Sequence, residues 1–315
     1  MTLAFVFPGQ GSQQVGMGKD LHDAFDEVKE IYREASETLG YDVAALSFAG
    51  PEEELNRTVR TQPCLLAASV AAYRVLASRG VKPSVLAGHS LGEYSALVAA
   101  GTLSLKDGLR ITEMRGRLMQ EAVPGEKGLM AAILGLDRGK VDEACKKARS
   151  GYVVAANYNC PGQVVISGER QAVQEAMGLA KAAGAKRAMP LAVSVPSHCR
   201  LMEGVSEKLS EFFLAGGIEM REPEIPVVGN AVAAYLSTVE AVKAALLKQL
   251  SSPVLWEDSV LAMARGGVDT FVEVGPGKVL SSLIKRTSPG SKTLNVQDRE
   301  SLEKTLAALA AAGAV

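Results

Sequence analysis

A serine set between two glycines is the first residue in this chain whose surroundings could do chemistry. Ser90 stands in Gly88-His89-Ser90-Leu91-Gly92, after the apolar run Val85-Leu86-Ala87 and before a helix-compatible stretch. This is the sequence form of a nucleophile elbow, a sharp strand-to-helix turn that lifts a hydroxyl above a sheet edge. The glycines have a steric reason, since a Cβ on either side of so tight a turn would meet backbone. The helix that follows would aim free N–H groups at a developing oxyanion. A serine nucleophile needs a base at neutral pH, and histidine is the usual one. The chain has three histidines. His89 adjoins Ser90 and should diverge from it, and His22 lies on a charged helix face. His198, in Val195-Pro196-Ser197-His198-Cys199, remains. Asp258, Asp269, Glu273 or a main-chain carbonyl could orient its ring, and spacing does not choose among them.

Arg115 is the third feature. At 100° per residue, Ile111, Leu118, Met119 and Ala122 share an apolar arc that also contains Arg115, whereas Arg110, Glu113 and Arg117 fall on the polar side. An arginine turned toward a core needs an anion or an internal partner. A bound carboxylate would suit the guanidinium fork.

The elements that must position these residues follow from patterning. Leu3–Phe7 reads as a buried strand ending at the turn Pro8-Gly9-Gln10-Gly11-Ser12-Gln13. That turn lacks the third glycine and the acidic residue of a dinucleotide fingerprint. Helices are expected over 20–39, 62–79, 91–100 and from Ser104 to about Val123, the last opened by a Ser104/Asp107 capping box. Residues 128–194 read β-α-β-β-α-β, a ferredoxin-like order, with a final strand over 185–194. Further strands are expected at 225–228, 269–274 and 292–296, and a helix at 301–312. The alternation implies an α/β fold with a mainly parallel sheet and flanking helices. Residues 127–195 form a small inserted unit, and 1–126 with 196–315 form the larger one.

Bulk properties limit the alternatives. The 315 residues are 47% hydrophobic and 22% charged, enough for a large core and against global disorder. A net charge of -1 gives no electrostatic case for nucleic acid or an anionic membrane. No apolar run reaches the roughly 18 residues that span a bilayer. The start runs straight into Leu3–Phe7 without a basic leader, so no signal peptide is expected. Cys64, Cys145, Cys160 and Cys199 form no C-x-x-C pair, so reduced thiols in the cytoplasm and no metal site are expected.

Taken together, Phe7–Gln13, Gly88–Tyr94, Arg115, Pro196-Ser197-His198 and Glu273-Val274-Gly275-Pro276-Gly277 resemble the malonyl-CoA:acyl carrier protein transacylase family, in its order and across nearly the whole chain. The resemblance implies a hydrolase-like core with a ferredoxin-like subdomain. It implies Ser90 as nucleophile, His198 as base, and the N–H groups of Gln10 and Leu91 as oxyanion hole. It also implies Arg115 as the malonyl carboxylate receptor and Gln249 as support for the histidine through its carbonyl. The implied reaction is ping-pong transfer of malonyl from malonyl-CoA to acyl carrier protein for fatty acid synthesis. CoA would be released, no cofactor used, and a monomer is expected. Lys186, Arg187, Lys285 and Arg286 are candidates for meeting the acidic carrier. A serine esterase shares the elbow but does not need Arg115. A carrier-docking module without catalysis does not need Ser90 or His198.

Overall fold

The computed structural model of the protein describes residues 1–123, 127–191 and 195–313. Among these, ten strands occur in chain order: β1 (Leu3–Phe7), β2 (Val85–Gly88), β3 (Gly128–Leu134), β4 (Val153–Cys160), β5 (Gln163–Glu169), β6 (Arg187–Pro190), β7 (Val227–Gly229), β8 (Ala234–Leu236), β9 (Thr270–Val274) and β10 (Lys292–Val296). They build two sheets, ordered β10-β9-β1-β2-β7-β8 and β4-β5-β3-β6.

The large sheet is parallel except for β8, which runs antiparallel to β7. Its central strands are continuous apolar runs because helices cover both faces, and all of β1 and β2 is buried. β1 and β2 pair from Ala4↔Val85 to Phe7↔Gly88, so both end at the same edge. At that edge β2 turns into the helix Gly92–Ala99, and β1 turns into the Pro8–Gln13 loop. Ligands of open parallel sheets bind at such carboxyl ends.

The second sheet is antiparallel, with β3 paired to β5 and β6, and β4 paired to β5. This is the ferredoxin-like order. The helices Arg138–Lys147 and Arg170–Ala182 cover one face and share its apolar core. On the other face Met130, Ala156 and Val165 cluster with Leu191 toward the first sheet. Asn157 and Val254 form a parallel bridge in which Tyr158 N–H donates to Val254 O at 2.9 Å and Val254 N–H to Ala156 O at 2.9 Å. Arg138 pairs with Asp258 at 3.1 Å beside it.

Several expected elements differ. The helix over 20–39 is two, Lys19–Ala24 and Asp26–Leu39, because Phe25 is extended (φ -131°, ψ 125°) and packs on the core. The Arg79 guanidinium lies 4.5 Å above its ring. The helix expected at 62–79 spans Thr58–Ala77 and carries Pro63 inside it. The strand expected over 185–194 is Arg187–Pro190, and Ala192, Val193 and Ser194 of that expectation lie outside the described residues. β8 was not anticipated. Ala122 is exposed at the end of its helix, so the apolar arc is shorter than its pattern implies.

The elbow glycines carry a quantitative constraint. A Cβ on Gly88 would lie 1.9 Å from the Gly92 carbonyl carbon, and one on Gly92 would lie 2.0 Å from the Phe7 carbonyl oxygen. Both neighbours are backbone and cannot move aside cheaply. Gly92→Ala should therefore destabilise the protein by about 3 kcal/mol or more. Gly178, inside the helix Arg170–Ala182, has nothing within 4 Å of its added Cβ. Gly178→Ala should stabilise by about 0.4–1 kcal/mol, by reducing the freedom of the unfolded chain. Urea midpoints of the two variants measure the contrast, and similar shifts of one sign would contradict it.

Candidate active site

Ser90 has φ 52°, a left-handed conformation that a non-glycine residue adopts only when its surroundings enforce it. The strain points its hydroxyl into a cleft between the two sheets. The cleft holds about 220 Å³ and is lined by Gln10, Ser90, Arg115, Met119, Asn157, His198 and Leu283 among others.

The structure brings four of the predicted side chains together. Ser90 Oγ lies 2.8 Å from His198 Nε2. His198 Nδ1 lies 2.8 Å from the carbonyl oxygen of Gln249. A carbonyl only accepts, so Nδ1 carries the proton, Nε2 is the free acceptor, and the serine hydroxyl donates to it. His198 is also left-handed, at φ 60°, and its backbone N–H donates to Leu250 O at 3.1 Å, so two successive carbonyls of one chain segment hold it. The three acids considered for this role lie elsewhere. Asp258 pairs with Arg138, and Asp269 accepts from Thr2 N–H. Glu273 is buried and caps the helix Val279–Thr287 by accepting from Leu280 and Ser281 N–H at 3.0 and 2.7 Å.

Arg115 is 1% exposed. It donates to Gln62 Oε1 at 2.8 Å, to Gln249 Oε1 at 3.0 Å and to Ser90 Oγ at 3.2 Å. Its Nε has no partner among the described residues, and Tyr94 lies beneath it with ring centroid 5.5 Å away. Every acceptor it meets among the described residues is neutral. Burial lowers its pKa, yet a guanidinium stays charged. A cation without a contacting anion among the described residues faces the Ser90 hydroxyl.

That cation and burial act on His198. Desolvation first, and then Arg115, push its pKa down to about 3, against the carbonyl bond that raises it. The imidazole is thus neutral and able to accept a proton at pH 7.

The N–H groups of Gln10 and Leu91 meet no acceptor among the described residues. Their loops are locked together. Ser12 N–H and Oγ–H both donate to Gly9 O, and a Cβ on Gly9 would lie 2.3 Å from the His89 carbonyl oxygen. His89 diverges from Ser90, with Nε2 2.9 Å from Asn159 Oδ1 and its ring edge-on to Trp256. His22 is half-buried against Tyr32 and Phe48 rather than free on a charged face.

Three members of this network were not identified from sequence, Gln62, Glu93 and Asn230, and the last two brace the elbow. Glu93 is fully buried one turn past Ser90, and its Oε2 accepts from Gln249 Nε2 at 2.8 Å and from Asn230 N–H at 3.0 Å. Desolvation pushes its pKa up to about 7, opposed by those bonds and by Arg115. Asn230 bonds to Ser90 N–H and to Gly88 O. A lone acid in the apolar helix Gly92–Ala99 was a legible signal for Glu93, while Asn230 offered none. Among the described residues no group of three or more His, Cys, Asp and Glu side chains could hold a metal ion, and no helix is long and apolar enough to cross a membrane.

Comparison with known proteins shows the family. The acyl transferase domain family model matches residues 4–304. The malonyl CoA-acyl carrier protein transacylase of Escherichia coli (strain K12) is 53% identical over 285 residues, covering 90% of this chain and 92% of that protein. The crystal structure of an acyl carrier protein S-malonyltransferase from Vibrio cholerae superposes with TM-score 0.94 at 48% identity, covering 97% of this chain and 100% of that one. A malonyl-transacylase in complex with its type II PKS acyl-carrier protein superposes with TM-score 0.94 at 50% identity, covering 97% and 99%.

Two pH dependences follow. The base form of His198 is the neutral imidazole, which predominates above a pKa of about 3 rather than 6.5. The second-order acylation rate of the free enzyme should therefore show no acid limb centred at 6.5, and a limb there would contradict the site's electrostatics. Glu93 has the opposite linkage. Between 4.5 and about 7 the folded state holds a proton that the unfolded state lacks, so stability falls as pH rises through that window. Glu93→Gln should remove this decline. Its stability relative to wild type should rise by on the order of 3 kcal/mol across the window, measured by urea unfolding at both ends. His198 loses stability as pH falls from 6.5 toward about 3, but equally in both proteins, so it cancels.

Proposed function

Given that this chain belongs to the acyl transferase domain family, among the malonyl-CoA:acyl carrier protein transacylases, we propose that Ser90 carries the malonyl group between two thiols. The enzyme transfers malonyl from malonyl-CoA to acyl carrier protein and so supplies fatty acid synthesis. The observation that carries the residue assignment is Arg115, a buried cation 3.2 Å from the Ser90 hydroxyl whose partners among the described residues are all neutral. A dicarboxylic acyl group supplies the anion that this pocket lacks.

The chemistry proceeds in two balanced halves. Ser90 Oγ attacks the thioester carbonyl as its proton passes to His198 Nε2. The oxyanion is held by the N–H groups of Gln10 and Leu91. Collapse expels the CoA thiolate, which takes the proton from His198 and leaves a malonyl-serine ester. The phosphopantetheine thiol of acyl carrier protein then gives its proton to His198 and attacks the ester, and Ser90 recovers the proton on leaving. The Gln249 carbonyl keeps the imidazole in the tautomer that both halves need. A substrate carboxylate on Arg115 also offsets the charge that disfavours the imidazolium, so the base strengthens as the right acyl group binds. No cofactor takes part in this scheme.

The same proposal takes residues 127–195 as a small unit forming the far wall of the cleft and 1–126 with 196–315 as the large one. It places the enzyme in the cytoplasm as a monomer. Lys186, Arg187 and Lys285 are available for the acidic carrier. Arg286 is already engaged by Gln163 Oε1 and Pro161 O.

Incubation with malonyl-CoA followed by intact-mass measurement tests the core assignment. A malonyl adduct is expected on the wild type and not on Ser90→Ala, and an adduct surviving in that variant would refute the nucleophile. Arg115→Ala should lower malonyl transfer by roughly 10²–10³-fold, with a much smaller effect on acetyl transfer. Equal losses would rule out the carboxylate role. Transfer to water in preference to a thiol would favour an esterase.

A further inference from the structure

Resting on the reading of Ser90 as nucleophile, we propose that Asn230 is a positioning residue whose carboxamide extends the β2–β7 ladder around the elbow and holds Ser90 in its strained conformation. Strands β2 and β7 pair through Leu86↔Val227 and Ala87↔Val228. One step further, β2 bends away into the elbow and β7 ends at Gly229, so backbone pairing stops where the strain begins. The side chain of Asn230 takes over. Its Oδ1 accepts from Ser90 N–H at 2.6 Å, and its Nδ2 donates to Gly88 O at 2.6 Å. One carboxamide thus clamps the peptide groups on both sides of His89, with the donor and acceptor that a backbone amide would offer.

The clamp is itself fixed. Asn230 is fully buried, its N–H donates to Glu93 Oε2 at 3.0 Å, and its carbonyl accepts from Leu255 N–H at 2.9 Å. Glu93 Oε2 also receives Gln249 Nε2, and Gln249 Nε2 donates to Ser90 O at 3.0 Å. The peptide groups flanking Ser90 are therefore held from both sides, by Asn230 at its N–H and Gln249 at its carbonyl. The support of the serine and the support of the histidine meet on one carboxylate oxygen. Only an amide side chain satisfies Asn230's two targets. Aspartate offers Ser90 N–H an acceptor but sets a second negative oxygen against the Gly88 carbonyl, and alanine offers neither.

The test reads nucleophile placement apart from stability. In Asn230→Ala the first-order rate of Ser90 malonylation should fall roughly 10- to 100-fold, the loss expected of a misplaced reacting atom, with KM for malonyl-CoA nearly unchanged. Labelling by a fluorophosphonate, which has no carboxylate for Arg115, should slow by the same factor. Malonylation at the wild-type rate, or a change in KM alone, overturns the proposal. If Asn230→Ala does not fold, the isosteric Asn230→Asp carries the test. A slow rate at a wild-type-like urea midpoint supports positioning, and a wild-type rate overturns it. Failure of both variants to fold assigns Asn230 to stability alone and also overturns it. The Ser90→Ala mass experiment separates these results from a failure of the nucleophile assignment itself.

Discussion

A guanidinium buried to 1% exposure, with no contacting carboxylate among the described residues, is the constraint on which this site depends. An unpaired buried charge is among the most expensive features a fold can keep, and neutral amides compensate it only in part. Arg115 draws Gln62 Oε1 and Gln249 Oε1 toward itself. This fixes which way the Gln249 amide faces, because its Nε2 must then point at Glu93 and the Ser90 carbonyl. The same residue's main chain holds His198 Nδ1. One glutamine therefore links Arg115, the buried acid Glu93 and His198.

The arrangement also sets the electrostatic balance of the proposed reaction. Arg115 disfavours a protonated His198 and favours an ionised Glu93, while burial disfavours the charged form of both. The empty-handed cation is the common term. A carboxylate bound to it would relax both biases, favouring the imidazolium that forms as Ser90 gives up its proton and disfavouring an ionised Glu93. On the proposed assignment, recognition of an anionic acyl group and activation of Ser90 become one interaction, since Arg115 donates to the serine hydroxyl itself.

Much of this was legible in the chain. Leu3–Phe7 and Lys292–Val296 stand where their patterns place them, the first an apolar run stopped by Pro8-Gly9. The alternating elements of the small sheet were readable because each is bounded by glycine or an N-cap such as Asp137. Phe25 was not legible as a helix break, since a phenylalanine in a helical pattern leaves it only when packing on the core outweighs one turn of hydrogen bonds. Nor was Pro63 as an interior residue or β8, whose three residues carry too little pattern to see.

For the site, sequence alone determined what is written in side-chain chemistry and local sterics. Ser90 must sit between glycines, because backbone lies within 2.0 Å of where their Cβ atoms would be. Arg115 must face inward, because its helix is apolar on that side. His198 was the histidine left with no other role. The tertiary structure decided the rest: that a carbonyl rather than Asp258, Asp269 or Glu273 orients the imidazole, and that Asn230 and Glu93 brace the elbow. The reason is physical. Every residue has a carbonyl and an N–H, so their partners are set by where the chain returns in space and not by which residue carries them.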